Sequence, residues 1–363
     1  VKPVVVKLGS SVVADEHGLP REPVLEGLCA RIAGARRTGV EVVVVSSGAI
    51  ARGVAALGLG SRPRSIAQLQ AASAVGQGKL FPLYDRLLEE QGLTAAQVLL
   101  TALDLHERSH YLNARRTLRT LLGWGVVPVI NENDTTATDE ISFGDNDFLA
   151  AQVATLVGAR LLVLLSDVEG LYDGNPRDPG VALIKEVADV AAVLDGVDGG
   201  GGSRWGTGGI RAKLLAARIA TAAGVETVIC NGLDPTALGE VLAGGRRGTR
   251  FPAAGREHSA FKLWLKYAKP TRGAVVVDEG AARALRERGS SLLPVGVVAV
   301  EGRFAAGDAV EIRARDGELL GKGIASLAAH ELDRVKGLDS GRARRLLPEG
   351  GEEAVHRDQL VLA

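Results

Sequence analysis

The sequence predicts an α/β protein, an open, mainly parallel sheet sandwiched by helices, followed by a second, smaller mixed β domain. Three observations predict it. From residue 1 to about residue 250, short β-branched runs alternate with longer stretches of helical periodicity, the order that produces right-handed βαβ crossovers. Most of those runs are nearly continuous in apolar residues, as strands buried on both faces require. After Thr249 the texture changes to short strands separated by Gly-Asp and Asp-Gly turns. A chain of 363 residues exceeds one ordinary core. We therefore expect a first domain at 1–255, a linker at 256–268 and a second domain at 269–363.

Taken in order, strands are expected at Val4–Leu8, Glu41–Val45, Gln97–Leu100, Val126–Ile130, Leu161–Leu165 and Thr227–Cys230. A helix is expected over Pro23–Thr38, with Pro in its first turn and Gly39 as its stop. Tyr111–Gly123 and Gly209–Ala222 read the same way. Arg250–His258 reads as linker. In the second domain, strands are expected at Ala274–Val277, Val295–Val300 and Ala309–Ala314, with one helix at Gly280–Arg288. Turn signals lie at Ala306-Gly307-Asp308 and Arg315-Asp316-Gly317.

Composition narrows the function classes. The formal net charge is zero, which argues against the electrostatic footprint of a nucleic-acid or membrane-surface protein. No apolar run approaches the ~20 residues that span a bilayer. The cysteines, Cys29 and Cys230, lack metal-type spacing and suit small core positions in a reducing compartment. The first residues lead straight into Val4–Val6 and Lys7, without a basic region, apolar stretch and cleavage site in succession. A cytoplasmic location is expected.

Five segments carry candidate chemistry. In Val4–Leu8 and Gly9-Ser10-Ser11, a Lys near the end of a buried strand precedes a Gly-Ser turn, which puts a cation and free amides where a phosphate could sit. In Ser46-Ser47-Gly48-Ala49-Ile50, strand, small turn and helix follow one another. The opening amides favour an anionic group, although a plain helix cap by Ser47 would read alike. Asn131-Glu132-Asn133-Asp134 and Gly144-Asp145-Asn146-Asp147 hold more acids and carboxamides than two turns need, and an apolar helix after Asp147 pins them to the core. Ser166-Asp167, followed by Val168-Glu169-Gly170, could cradle a nucleoside or be ordinary turn chemistry. Finally, Thr207-Gly208-Gly209-Ile210-Arg211-Ala212-Lys213 leads into an apolar helix. Its glycines let backbone approach phosphate oxygens, and Lys213 lies one turn in. Gly199–Gly202 reads as flexible linker.

Two other matches are decoys. His106-Glu107-Arg108-Ser109-His110 fits a zinc-protease pattern, yet Arg108, Arg115 and Arg116 would oppose a dication, and a solvated helix start is the better reading. His356-Arg357-Asp358 echoes a kinase catalytic loop but lacks the D-F-G that follows one. No P-loop occurs, and no G-x-G-x-x-G follows the first strand.

In this order, Lys7–Ser11, Ser46–Ile50, Asn131–Asp134, Gly144–Asp147 and Gly206–Gly209 resemble the amino-acid kinase family, and within it the kinases that act on free L-glutamate. The C-terminal part resembles a PUA domain, a module best known from RNA-modifying proteins. The resemblance implies ATP- and Mg²⁺-dependent phosphorylation of the L-glutamate γ-carboxylate, the first step of proline biosynthesis. It implies that Lys7 and Lys213 neutralise the transferring phosphoryl and that Asp147 orients them. Ser47, Gly48, Asp134 and Asn146 are implied for the amino acid. Lys7, Ser166, Asp167 and the run Thr207, Gly208, Gly209, Ile210, Arg211, Ala212 and Lys213 are implied for ATP. No side chain is implied as a metal ligand. Ile210 stands where the family often has Met, and Arg204-Trp205 is bulky before Gly206. A homo-oligomer, dimer or tetramer, is implied, as is a hand-off of the acyl phosphate to glutamyl phosphate reductase. The alternatives are a same-fold kinase for aspartate, acetylglutamate or another small acid, and an RNA-binding protein acting through the second domain.

Overall fold

Runs of valine and leucine form the centre of a seven-stranded sheet. The computed structural model describes residues 2–101, 104–105, 108–136, 146–175, 178, 180–198, 208–254, 262, 265–266, 269, 271–347 and 352–363. The chain divides into two units, Val1–Glu257 and His258–Ala363.

The first unit runs β1 (Val4–Leu8), α1 (Ser10–Val13), α2 (Glu22–Arg37), β2 (Val42–Ser46), α3 (Ala49–Ala56), α4 (Ile66–Glu89), β3 (Ala95–Leu100), α5 (Arg108–Gly123) and β4 (Val127–Glu132). It continues with α6 (Asp147–Val157), β5 (Leu161–Ser166), α7 (Val190–Asp198), α8 (Gly208–Ala222), β6 (Glu226–Asn231), α9 (Pro235–Leu242) and β7 (Thr249–Phe251). The strand order is β3-β4-β2-β1-β5-β6-β7, parallel throughout except for β7 against β6. Strands β1, β2 and β5 are buried along their whole length, which is why their sequences show no alternation. One face is covered by Leu25, Leu28 and Ile32 of α2 with Leu80, Tyr84, Leu87 and Leu88 of α4.

From β1 the chain winds first toward β2, β4 and β3, and later toward β5 and β6 on the other side. Such a reversal opens a crevice at the carboxyl ends of the strands. Lys7, Ser46, Glu132 and Ser166 all lie at those ends.

Two differences from the sequence reading have physical causes. The 24-residue α4 carries Gly76, Gly78 and Pro82 in its interior, which break its apolar periodicity; burial of one face holds it helical all the same. Arg250 and Phe251, read as linker, belong instead to β7, where Thr227 faces Phe251 across an antiparallel pair. Phe251 is fully buried, but three residues are too few to show a strand period.

The second unit contains β8 (Gly273–Val277), α10 (Glu279–Arg288), β9 (Val297–Gly302), β10 (Ala309–Ala314), β11 (Leu319–Ala325), α11 (Ala329–Val335), α12 (Ser340–Leu346) and β12 (Val355–Leu362). The sheet order is β12-β11-β10-β8-β9, with β8 and β10 parallel and the other pairs antiparallel. Val275, Val277, Leu285, Ile312, Leu332 and Val355 meet in its core. The sequence reading expected three strands and one helix here; the described residues include five strands, the three α-helices α10, α11 and α12, and a short 3-10 helix at Pro294–Gly296. Strand β11 was hidden by Gly321 and Gly323, and glycine depresses a strand signal. A Cβ at Gly321 would lie 2.2 Å from the Val361 carbonyl oxygen, so the close approach of β12 requires it. Among the described residues, no helix is long and apolar enough to cross a membrane.

Candidate functional site

A lysine buried in a parallel sheet needs a carboxylate beside it. Lys7 is held by hydrogen-bonded strands on both sides, in register with Val45 of β2 and Leu164 of β5, and its side chain is fully buried. Its Nζ lies 2.7 Å from Oδ1 of Asp147. The other carboxylate oxygen, Oδ2, lies 3.1 Å from Nζ of Lys213. Asp147 is fully buried and opens α6, where the helix dipole favours its charge. Lys213 comes from the second turn of α8 and is also buried. Three distant segments thus meet in one clasp whose charges sum to +1, a place for an anionic group. Gly9 lets the chain turn here: its amide donates to the Leu165 carbonyl at 3.2 Å, and a Cβ would sit 3.0 Å from that oxygen.

Beside the clasp is a cleft lined by Ser10, Ser47, Gly48, Ala49, Ile50, Ala51, Arg62, Asn131, Glu132, Asp134 and Asn146. Four residues expected at the amino acid, Ser47, Gly48, Asp134 and Asn146, are brought together in it. The Ser47 amide donates to the Leu8 carbonyl at 3.2 Å, joining the turn to β1. Gly48, not Ser47, caps α3, with a φ of +96° that favours glycine and no side-chain cap bond. The first-turn amides of α3 therefore face the cleft uncapped by any side chain. Asn146 is fixed from three sides. Its amide donates to Ser47 Oγ at 3.4 Å, and Nδ2 donates to the Ser46 carbonyl and to Asn131 Oδ1, each at 2.6 Å.

Asp134 accepts a hydrogen bond from the Ser73 hydroxyl. Burial pushes its carboxyl above the usual aspartate range, opposed by that hydrogen bond and by the Arg62 guanidinium. On the other side of the clasp, Ser166 ends β5. Its Oγ donates to Asp167 Oδ1 at 3.2 Å, while its carbonyl takes the Gly232 amide at 2.7 Å. Gly208–Lys213 opens α8 with Arg211 exposed and Lys213 turned inward. Thr207, Gly206, Arg204-Trp205, Gly199–Gly202 and Gly144-Asp145 lie outside the described residues.

The zinc-like pattern gains no support: His106 and Glu107 lie outside the described residues, and His110 Nδ1 is 3.0 Å from Asp104 Oδ1. Asp104 Oδ2 in turn accepts from the amide and hydroxyl of Thr101, both at 2.8 Å. Cys29 and Cys230 are buried thiols, each pushed up to about 12 by burial. They are core residues without nucleophilic character.

The sequence profile of the amino acid kinase family matches residues 2–231, and that of the PUA domain matches residues 273–347. The chain belongs to the amino acid kinase family. It is 47% identical over 362 residues to the glutamate 5-kinase of Synechococcus sp. (strain JA-2-3B'a(2-13)), covering 99% of this chain and 98% of that one. It is 48% identical over 362 residues to the glutamate 5-kinase of Streptomyces coelicolor, covering 99% and 96%. Among solved structures, a carbamate kinase from Giardia lamblia bound to AMP-PNP superposes with a TM-score of 0.50 at 18% identity, covering 70% of this chain and 99% of that one. That likeness concerns the fold alone.

The sequence reading missed Arg62 and Asn131 as lining residues of the cleft, and Ser73 and Gln77 as the hydrogen-bond partners of Asp134 and Asn131 behind it. Asn131 stood inside a quoted motif, but its role depends on which side of β4 meets α6. Arg62 lies between α3 and α4 in a segment with no periodicity. Ser73 and Gln77 lie four residues apart on α4, polar positions on one face of a helix that the sequence reading had not recognised.

Proposed function

We propose that this chain transfers the γ-phosphoryl group of ATP to the side-chain carboxylate of L-glutamate, forming L-glutamyl 5-phosphate. The observation that carries this reading is the clasp of Lys7 and Lys213 on Asp147 at the edge of a cleft that joins uncapped helix amides to half-buried Asp134 and buried Asn146. The amides of α3 and Arg62 suit the α-carboxylate. Asp134 and Asn146 suit the α-ammonium. The γ-carboxylate then lies toward the lysines.

The γ-carboxylate is ionised at neutral pH, with an ordinary pKa near ~4.3, so the reaction needs no general base. What remains is positioning and offsetting charge during in-line transfer. Asp147 holds the two ammonium groups about the reacting phosphoryl, and the lysines stabilise charge on its oxygens. Ser166, Asp167 and the first turns of α8, Gly208–Lys213, bind the nucleotide. Mg²⁺ commonly arrives on the ATP phosphates, and bound there it would supply further charge neutralisation.

Acyl phosphates are labile, so a reductase that consumes the product fits this chemistry, as does a homo-oligomer that buries part of the first unit. The domain division we favour remains 1–255, 256–268 and 269–363. The test is ATP- and Mg²⁺-dependent hydroxamate formation in hydroxylamine, run with L-glutamate, N-acetyl-L-glutamate and L-aspartate. Signal with L-glutamate alone is expected; none with any of the three, from folded protein, would overturn the carboxylate-kinase reading.

A further inference from the structure

We propose that Gln77 of α4, with Ser73 one turn before it, is a positioning residue that fixes the amino-acid cleft as an acceptor wall selective for a free α-ammonium. The inference rests on the proposed function and concerns how substrate choice is enforced from outside the cleft.

The polarity of each carboxamide follows from its partners. A backbone N–H can only donate, and Glu132 N–H donates to Asn131 Oδ1 at 2.9 Å. Asn131 Oδ1 is thereby an acceptor, and it also takes Nδ2 of Asn146 at 2.6 Å. The amino group of Asn131 must then point the other way, where Gln77 Oε1 receives it at 2.6 Å. Asn146 gives its second Nδ2 hydrogen to the Ser46 carbonyl at 2.6 Å, again an acceptor only. Both hydrogens of that carboxamide are used. Among the described residues its Oδ1 receives none, so the oxygen is what Asn146 offers a ligand.

Gln77 ends this relay. Without its carbonyl oxygen, Nδ2 of a nearly fully buried Asn131 would lose its acceptor. Such a group is costly to leave unpaired, and Asn131 would move to find another, releasing Asn146 with it. Ser73 acts in parallel: its hydroxyl donates to Asp134, spending one lone pair of that carboxylate and setting its orientation. The spacing of four residues puts both side chains on one helix face. Asn146 and Asp134 are therefore presented as acceptors, which suit an ammonium with three donors. An N-acylated nitrogen, with one N–H, matches them poorly.

The test compares Gln77→Leu with Gln77→Glu, which keeps an acceptor for Asn131. Each is assayed for the L-glutamate KM, for kcat, and for competitive inhibition by glutarate, which has both carboxylates and no ammonium. For Q77L the L-glutamate KM should rise about tenfold, on the scale of one lost orienting hydrogen bond. The ATP KM and the glutarate inhibition constant should stay at wild-type values, and Q77E should restore most of the L-glutamate affinity. The inference is overturned if Q77L matches wild type, if glutarate binding weakens in step, or if Q77E is as impaired as Q77L. Should Q77L fail to fold, Gln77→Lys takes its place, since it offers donors where Asn131 needs an acceptor and predicts the same loss. A wild-type protein inactive with L-glutamate would instead sink the proposed function, and this inference with it.

Discussion

Lys7 and Lys213 reach one carboxylate from a strand and a helix that are 206 positions apart in sequence, so each substitution removes half of a shared electrostatic device. Lys7→Ala and Lys213→Ala should each lower kcat by at least ~100-fold in the hydroxamate assay, the scale of losing a dominant transition-state contact. A change confined to KM would assign the lysines to binding alone. Asp134 yields a pH prediction. Burial raises its pKa above the ordinary 3.8, so its ionised form is disfavoured in the folded chain relative to the unfolded one. Folding stability is then lost as pH rises from 3.8 through the raised value, and the deficit persists above it. Asp134→Asn, which still accepts from Ser73, should therefore melt higher than wild type at pH 7, with the gap closing toward about pH 3. Its KM for L-glutamate should rise because the ammonium loses its counter-charge. In wild type, that KM should also rise as pH falls through the raised Asp134 pKa.

At the scale of elements, the decisive contact is the crossing of α3 and α4. A Cβ on Gly76 would lie 1.7 Å from the Ala49 carbonyl oxygen, and one on Gly53 would lie 1.7 Å from that of Ala72. The two backbones touch because these four positions are glycine or alanine. Gly76→Ala should destabilise by about 3 kcal/mol or more, the upper range of overpacking, since backbone cannot swing aside as a side chain can. Thermal melts measure this; an unchanged melting temperature would mean the helices can part freely. Ala49 is the first residue of α3 and lines the cleft, so any surviving activity should show a raised L-glutamate KM. The same crossing explains why α4 was illegible in sequence. Its small residues and Pro82 erase the apolar period, while its polar positions Ser73, Gln77 and Tyr84 have partners on other elements, the last bonding Ser46 Oγ at 2.9 Å.

At the scale of the whole molecule, every described residue of the clasp and the cleft belongs to the first unit, Val1–Glu257. A chain ending at Glu257 should therefore keep glutamate-dependent hydroxamate formation within about tenfold of the full chain, the range expected when no contact to the reacting groups is removed. Complete loss from a folded fragment would assign the second unit a part in catalysis.

The sequence by itself determined the fold class and the main strands, because Val4–Leu8, Val42–Val45 and Leu161–Leu165 are buried on both faces and are therefore apolar nearly throughout, Lys7 with its Asp147 partner being the exception. The segments holding Lys7, Ser47, Asp134, Asn146, Asp147 and Lys213 stood out as candidates, but each residue's role came from the resemblance of their joint order to the amino-acid kinase family and not from any one cluster. The edges and short pieces escaped it: β7, β11 and β12 draw their stability from neighbours, and their own residues carry little strand signal. Only the tertiary structure decided that Asp147 divides its two oxygens between the lysines, and that Gln77 and Ser73 support the cleft from behind. Those facts are distances between residues far apart in the chain, fixed by how α4, α6 and α8 pack against the sheet, and local sequence holds no measure of them.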